Sequence, residues 1–119
     1  MRCRTATGER VRRLEQAGVI RGYHAEVDPA RLGYPLLADV RLRYPGRRHQ
    51  PLRDLLAVRP EVLECFRVTG DACYVMKVAA TSMAHLEQVI DELAELGPVT
   101  TSVVYSATMT RRVLTPPST

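Results

Sequence analysis

Six arginines crowd the first 24 residues of this 119-residue chain: Arg2, Arg4, Arg10, Arg12, Arg13 and Arg21. Only Glu9 and Glu15 oppose them, so this stretch carries the whole formal surplus of +4 and the remainder balances to zero. Guanidinium groups gathered at one end suit a polyanion, because each can pair with a phosphate or with the edge of a guanine. A basic end on a neutral body is the charge pattern of a nucleic-acid-binding arm.

Other chemistries find little support. Cys3, Cys65 and Cys73 are odd in number and lack CxxC spacing, which argues against a disulfide framework or a metal cluster. His24, His49 and His85 fall in three different expected elements, so neither a metal site nor a nucleophile–base pair is expected from them. No glycine-rich phosphate loop or GxSxG elbow occurs. The expectation is a non-enzyme without cofactor or metal. No signal peptide and no membrane-length apolar run is read, so the expected location is the cytoplasm and no membrane partner is expected.

The elements that must carry the arginines follow from periodicity. Val11, Leu14 and Ala17 recur at helical steps, giving a helix from Thr5 or Thr7 to Ala17, with Gly18 placed to take the left-handed position after it. Val19–Val27 reads as extended, and Ala30–Gly33 as a turn or short helical piece. Ala38, Val40, Leu42 and Tyr44 alternate with Asp39, Arg41 and Arg43, which predicts a strand. A helix opening at Pro51 follows, then apolar runs at 62–68 and 73–80 joined by a glycine-containing turn, which reads as a hairpin. A helix striped by Met83, Leu86, Val89, Ile90, Leu93 and Leu96 and a last strand at 99–107 complete the order β-α-β-β-α-β. That is an α+β, ferredoxin-like arrangement, a four-stranded antiparallel sheet with both helices on one face.

Such a sheet has a second face. Placing Val68 opposite Cys73 puts Leu63, Cys65, Tyr74, Met76, Val78 and Ala80 on one side. Val62, Phe66, Val68, Cys73, Val75 and Ala79 then lie on the other, interrupted by Glu64 and Lys77. One of these faces meets the helices, and the other is too apolar to leave wet. Val62, Phe66, Val68 and Val75 are therefore expected at a sheet-to-sheet homodimer interface. Cys65 and Cys73 are expected on opposite faces.

Arg10-Val11-Arg12-Arg13-Leu14-Glu15, Gly18-Val19-Ile20-Arg21-Gly22-Tyr23, Asp28-Pro29 and Leu32-Gly33 together resemble the leucine-responsive/asparagine (Lrp/AsnC) family of regulators. Val68-Thr69-Gly70-Asp71 and Thr101-Ser102-Val103 extend the likeness to roughly residues 5–112. The resemblance implies an N-terminal helix-turn-helix, a strand linker and a ferredoxin-like domain that responds to amino acids. It also implies dimers through the sheet faces, often assembled further. The first helix would be the recognition helix, with Arg4, Arg10, Arg12 and Arg13 as DNA-binding candidates. In the family the hairpin turn commonly reads Gly-Asp-aromatic-Asp and lines an effector pocket. Gly70 and Asp71 keep this pattern, while Ala72 and Cys73 depart from it. Thr69, Gly70, Asp71 and Thr101 are the effector candidates; an acidic side chain suits an α-ammonium group, although Gly-Asp also makes a good turn by itself.

The resulting division is a helix-turn-helix remnant at 1–18, a linker at 19–35, the ferredoxin-like domain at 36–110 and a flexible tail at 111–119. The expected function is transcriptional regulation through double-stranded DNA and an amino-acid-like effector. The helices that precede a recognition helix are not in this chain, which leaves a second reading, an amino-acid-binding or assembly module that does not bind DNA.

Overall fold

Thr5 opens the described part of the chain by capping a helix, its Oγ1 accepting from the Gly8 N–H at 3.0 Å. The computed structural model describes residues 5–71 and 73–118. Helix α1 (Ala6–Gln16) ends before Gly18, whose φ of 79° is the left-handed value that favours glycine. No residue of α1 is buried, and its apolar pair Val11 and Leu14 stays 36% and 42% exposed. Asp28 then caps the short helix α2 (Pro29–Leu32), with Gly33 closing it at a φ of 110°. The expected extended segment at 19–27 is not a paired strand here, for among the described residues no sheet neighbour reaches it.

The rest forms one sheet and two helices: β1 (Leu36–Leu42), α3 (Gln50–Ala57), β2 (Val62–Arg67), β3 (Tyr74–Ala80), α4 (Met83–Ala94) and β4 (Val99–Val103). The strands lie in the order β2-β3-β1-β4, every pair antiparallel. The order places β3 between β2 and β1, so each helix crosses over one strand, as a split βαβ fold requires. Residues 104–118 add neither helix nor strand. The radius of gyration, 18.6 Å, exceeds the roughly 13–14 Å of a compact chain of this length, because α1 stands apart from the buried cluster.

Register assigns the faces. Ala38 opposes Val78, Val40 opposes Met76, and Leu42 opposes Tyr74. These side chains join Leu52 of α3 and Leu86, Val89 and Leu93 of α4 in one buried cluster. Val40, Leu42 and Val78 are fully buried, and each such side chain contributes about 1.5–3 kcal/mol. Both helices therefore cover the same side of the sheet.

The other side carries Asp39, Arg41, Glu64, Phe66, Val75 and Lys77 by the same register. A β-bulge between Val62 and Glu64 corrects the expectation for Val62. Two residues of β2 fit against one of β3, so Val62 pairs with Val78 and packs on the core rather than on the open face. Leu63, expected beside Cys65, is left half exposed within the bulge. Cys73, expected on the open face, packs at the rim of the buried cluster with its Sγ 3.3 Å from the Tyr44 carbonyl oxygen. Cys65 and Cys73 are both free thiols.

A polar network fastens α4 to the start of β2. Thr81 N–H donates to His85 Nδ1 at 3.0 Å, which leaves the ring hydrogen on Nε2 to donate to Glu61 Oε2 at 2.8 Å. Arg59 bridges Glu61 at 3.4 Å and also pairs with Glu92.

Candidate functional site

Where β1 ends, three segments of backbone meet. Arg43 N–H donates to the Pro98 carbonyl oxygen at 2.9 Å, tying β1 to the start of β4. Cys73 N–H donates to the Leu42 carbonyl oxygen at 3.1 Å, tying β1 to the β2–β3 turn. Gly97 lies so close that an added Cβ would overlap the Arg43 carbonyl oxygen, so the β4 side of this junction needs glycine. Within the turn, Gly70 holds a φ of 102°, which a side chain would strain.

These ties frame an open-sided cavity of about 580 Å³ lined by Arg41, Arg43, Val68, Thr69, Gly70, Asp71, Pro98 and Thr100. Arg43 Nε donates to the Asp71 carbonyl oxygen at 3.3 Å, which holds the turn over the end of β1. Arg41 is oriented from its other flank by Asp39, whose Oδ2 lies 3.6 Å from its Nε. The lining thus offers two guanidinium groups, one carboxylate and two hydroxyls, with Val68 and Pro98 as its apolar side chains. It can hold a small charged molecule.

Three of the four residues expected at an effector site meet here: Thr69, Gly70 and Asp71. Thr101 does not, because it opposes Val40 and so belongs to the side of the sheet that faces the helices. Its neighbour Thr100 opposes Arg41 and lines the cavity instead. Val68, expected at the subunit contact, is also part of this lining. Arg41, Arg43 and Pro98 were not among the sequence candidates. The signal for the arginines was present in the alternation of β1, which puts both on its polar side.

Of the four residues expected at a subunit contact, two lie on the uncovered side of the sheet. Phe66 and Val75 are cross-strand partners on the uncovered side, and Phe66 remains 59% exposed. They border a shallow groove with Asp39, Glu64, Lys77 and Val104.

On α1, Arg10 and Arg13 are exposed, about 60° apart around a helix of 3.6 residues per turn. Arg12 lies on the opposite flank, half-buried, its Nη2 3.5 Å from Glu9 Oε1. One helix face therefore cannot present all three. Arg4 lies outside the described residues.

Among the described residues there is no group of three or more His, Cys, Asp or Glu placed to hold a metal ion. His49 instead meets Tyr74 Oη at 2.5 Å, and His85 belongs to the Glu61 network. No helix of the described residues is long and apolar enough to cross a membrane.

Comparison with known proteins agrees with this geometry. Residues 37–114 match the family described as the Lrp/AsnC ligand binding domain. The HTH-type transcriptional regulator LrpC of Bacillus subtilis is 32% identical over 98 residues, covering 82% of this chain and 68% of that protein. LrpB of the same organism is 34% identical over 92 residues, covering 77% of this chain and 62% of its own length. Both relatives are transcriptional regulators, not enzymes, and this chain spans 62–68% of their length. The solved structure of LrpC superposes with a TM-score of 0.83 at 30% identity, covering 89% of this chain and 76% of that one. A feast or famine regulatory protein of M. tuberculosis, complexed with L-methionine, gives a TM-score of 0.83 at 27% identity, covering 93% and 78%. The match along residues 37–114, the sheet order and the shared fold have one explanation: the chain belongs to the Lrp/AsnC family.

Proposed function

We propose that this chain works as an amino-acid-responsive regulator of transcription, with α1 directed at double-stranded DNA and the cavity beside Gly70 and Asp71 taking the effector. The observation that carries this reading is the cavity itself, which joins the turn to Arg41 and Arg43 at one end of the uncovered sheet face. A small amino acid needs partners for both an ammonium and a carboxylate group, and this lining offers both. The relative from M. tuberculosis solved in complex with L-methionine supports an amino-acid-like effector.

In this reading the open faces of two copies pack together around Phe66 and Val75. The cavity lies at the end of that face, so an effector that prefers one assembly over another shifts the balance between them. Arg10 and Arg13 of each copy then meet DNA, in a protein that acts in the cytoplasm without a membrane partner. The division into a DNA-binding end at 1–18, a linker at 19–35, a sensing domain at 36–110 and a tail at 111–119 is part of the same proposal.

An electrophoretic shift on the DNA upstream of its gene, repeated across a salt series with and without amino acids, tests the proposal. Binding that weakens with salt and shifts with one amino acid is the expected result. No salt-sensitive binding overturns the DNA part. The exposed Val11 and Leu14 stripe favours a second reading, an assembly or ligand module that does not engage DNA. Amino-acid binding without any DNA shift would favour that alternative.

A further inference from the structure

We infer that the effector of this chain is an acidic amino acid, whose second carboxylate is held by Arg41 and Arg43. This rests on the effector-site reading above and names the ligand's chemical class. The cavity lining carries two guanidinium groups against the single carboxylate of Asp71. A neutral amino acid brings one positive and one negative group, so it leaves the excess positive charge of the lining uncompensated. A second carboxylate balances it.

The geometry separates the two arginines by role. Arg43 spends its Nε on the Asp71 carbonyl oxygen, leaving its terminal nitrogens to a ligand. Arg41 is contacted through its Nε at 3.6 Å by Asp39, a partly exposed residue outside the cavity lining, and solvent-screened pairs of this kind neutralise a guanidinium only weakly. Its terminal nitrogens are likewise left for an anion, and the planar guanidinium fork suits a carboxylate. Thr69 and Thr100 add hydroxyls that hydrogen-bond carboxylate oxygens. The apolar part of the lining is confined to Val68 and Pro98, too little to bury a leucine or methionine side chain on several sides.

Calorimetric titration of the full chain at pH 7 with L-glutamate, L-aspartate, L-leucine and L-methionine tests the inference. An acidic amino acid is expected to bind at least about tenfold more tightly than leucine or methionine, the factor a charge-assisted hydrogen bond supplies. Arg41→Gln is expected to remove that preference, Arg41→Lys to keep much of it, and both to leave the far-UV circular dichroism unchanged. Leucine or methionine binding as tightly as glutamate, weakened by Asp71→Asn, overturns the acidic class and leaves the effector site standing. A preference that survives Arg41→Gln also overturns the class. Absence of heat with all four ligands overturns both the class and the site.

Discussion

His85 Nε2 donates to Glu61 Oε2 at 2.8 Å, and this bond joins the start of α4 to the segment entering β2. Glu61 is nine-tenths buried and also faces Arg59, which in turn holds Glu92. The three contacts act as one clamp across the helical side of the sheet.

The clamp makes stability fall in acid. Burial pulls the Glu61 carboxyl upward, but hydrogen bonds from His85 and from its own backbone, with the charge of Arg59, hold it below its ordinary 4.5. The hydrogen bond from Arg59 lowers Glu92 as well. Carboxyls lowered on folding stabilise fully above their unfolded value, and that contribution is lost as pH falls through the folded value. Thermal melts should show a Tm that declines below about pH 4.5. Glu61→Gln should reduce that decline and cost about 1–2 kcal/mol at pH 7, read from urea denaturation.

Gly97→Ala should destabilise the protein by about 1–3 kcal/mol, because its Cβ has no room beside the Arg43 carbonyl oxygen. The same displacement moves Arg43 and Pro98, so effector affinity should fall further than stability alone explains. Urea denaturation and calorimetry on one preparation separate the two effects.

Phe66→Asp should leave the monomer folded and weaken self-association. Phe66 is 59% exposed, and a carboxylate there costs nothing in a lone subunit but is buried once two faces meet. Sedimentation velocity across a concentration series should show a loss of at least about tenfold in dimer affinity, the effect of about 1.4 kcal/mol.

Arg13→Gln should lower the slope of log affinity against log salt by about one, the share of a single phosphate contact. The change should be similar on all DNA sequences if Arg13 meets phosphate. Fluorescence anisotropy at four salt concentrations measures it.

The alternation of Ala38, Val40, Leu42 and Tyr44 is enough to find β1 and its buried face. What alternation cannot register is an inserted residue. Leu63 breaks the period-two pattern without any glycine or proline to announce it, so Val62 reads as facing outward when it packs inward. Thr100 and Thr101 are chemically identical neighbours, and only the pairing of Arg41 with Thr100 decides which reaches the cavity. Arg41 and Arg43 lie far from Asp71 in sequence, and the β2–β3 turn folding back over the end of β1 brings them together. Val19–Val27 has the composition of a strand but no neighbour among the described residues to pair with, and composition alone does not supply one.

The sheet has two rims, and they are defended unequally. On β2 the bulge at Leu63 disrupts the ladder that a foreign strand would need. On β4 the run Val99-Thr100-Thr101-Ser102-Val103 is unkinked, uncharged and rich in β-branched residues. Concentrated or partly unfolded material should therefore polymerise from the β4 rim, and a lysine at Ser102 is the change that would blunt filament growth there.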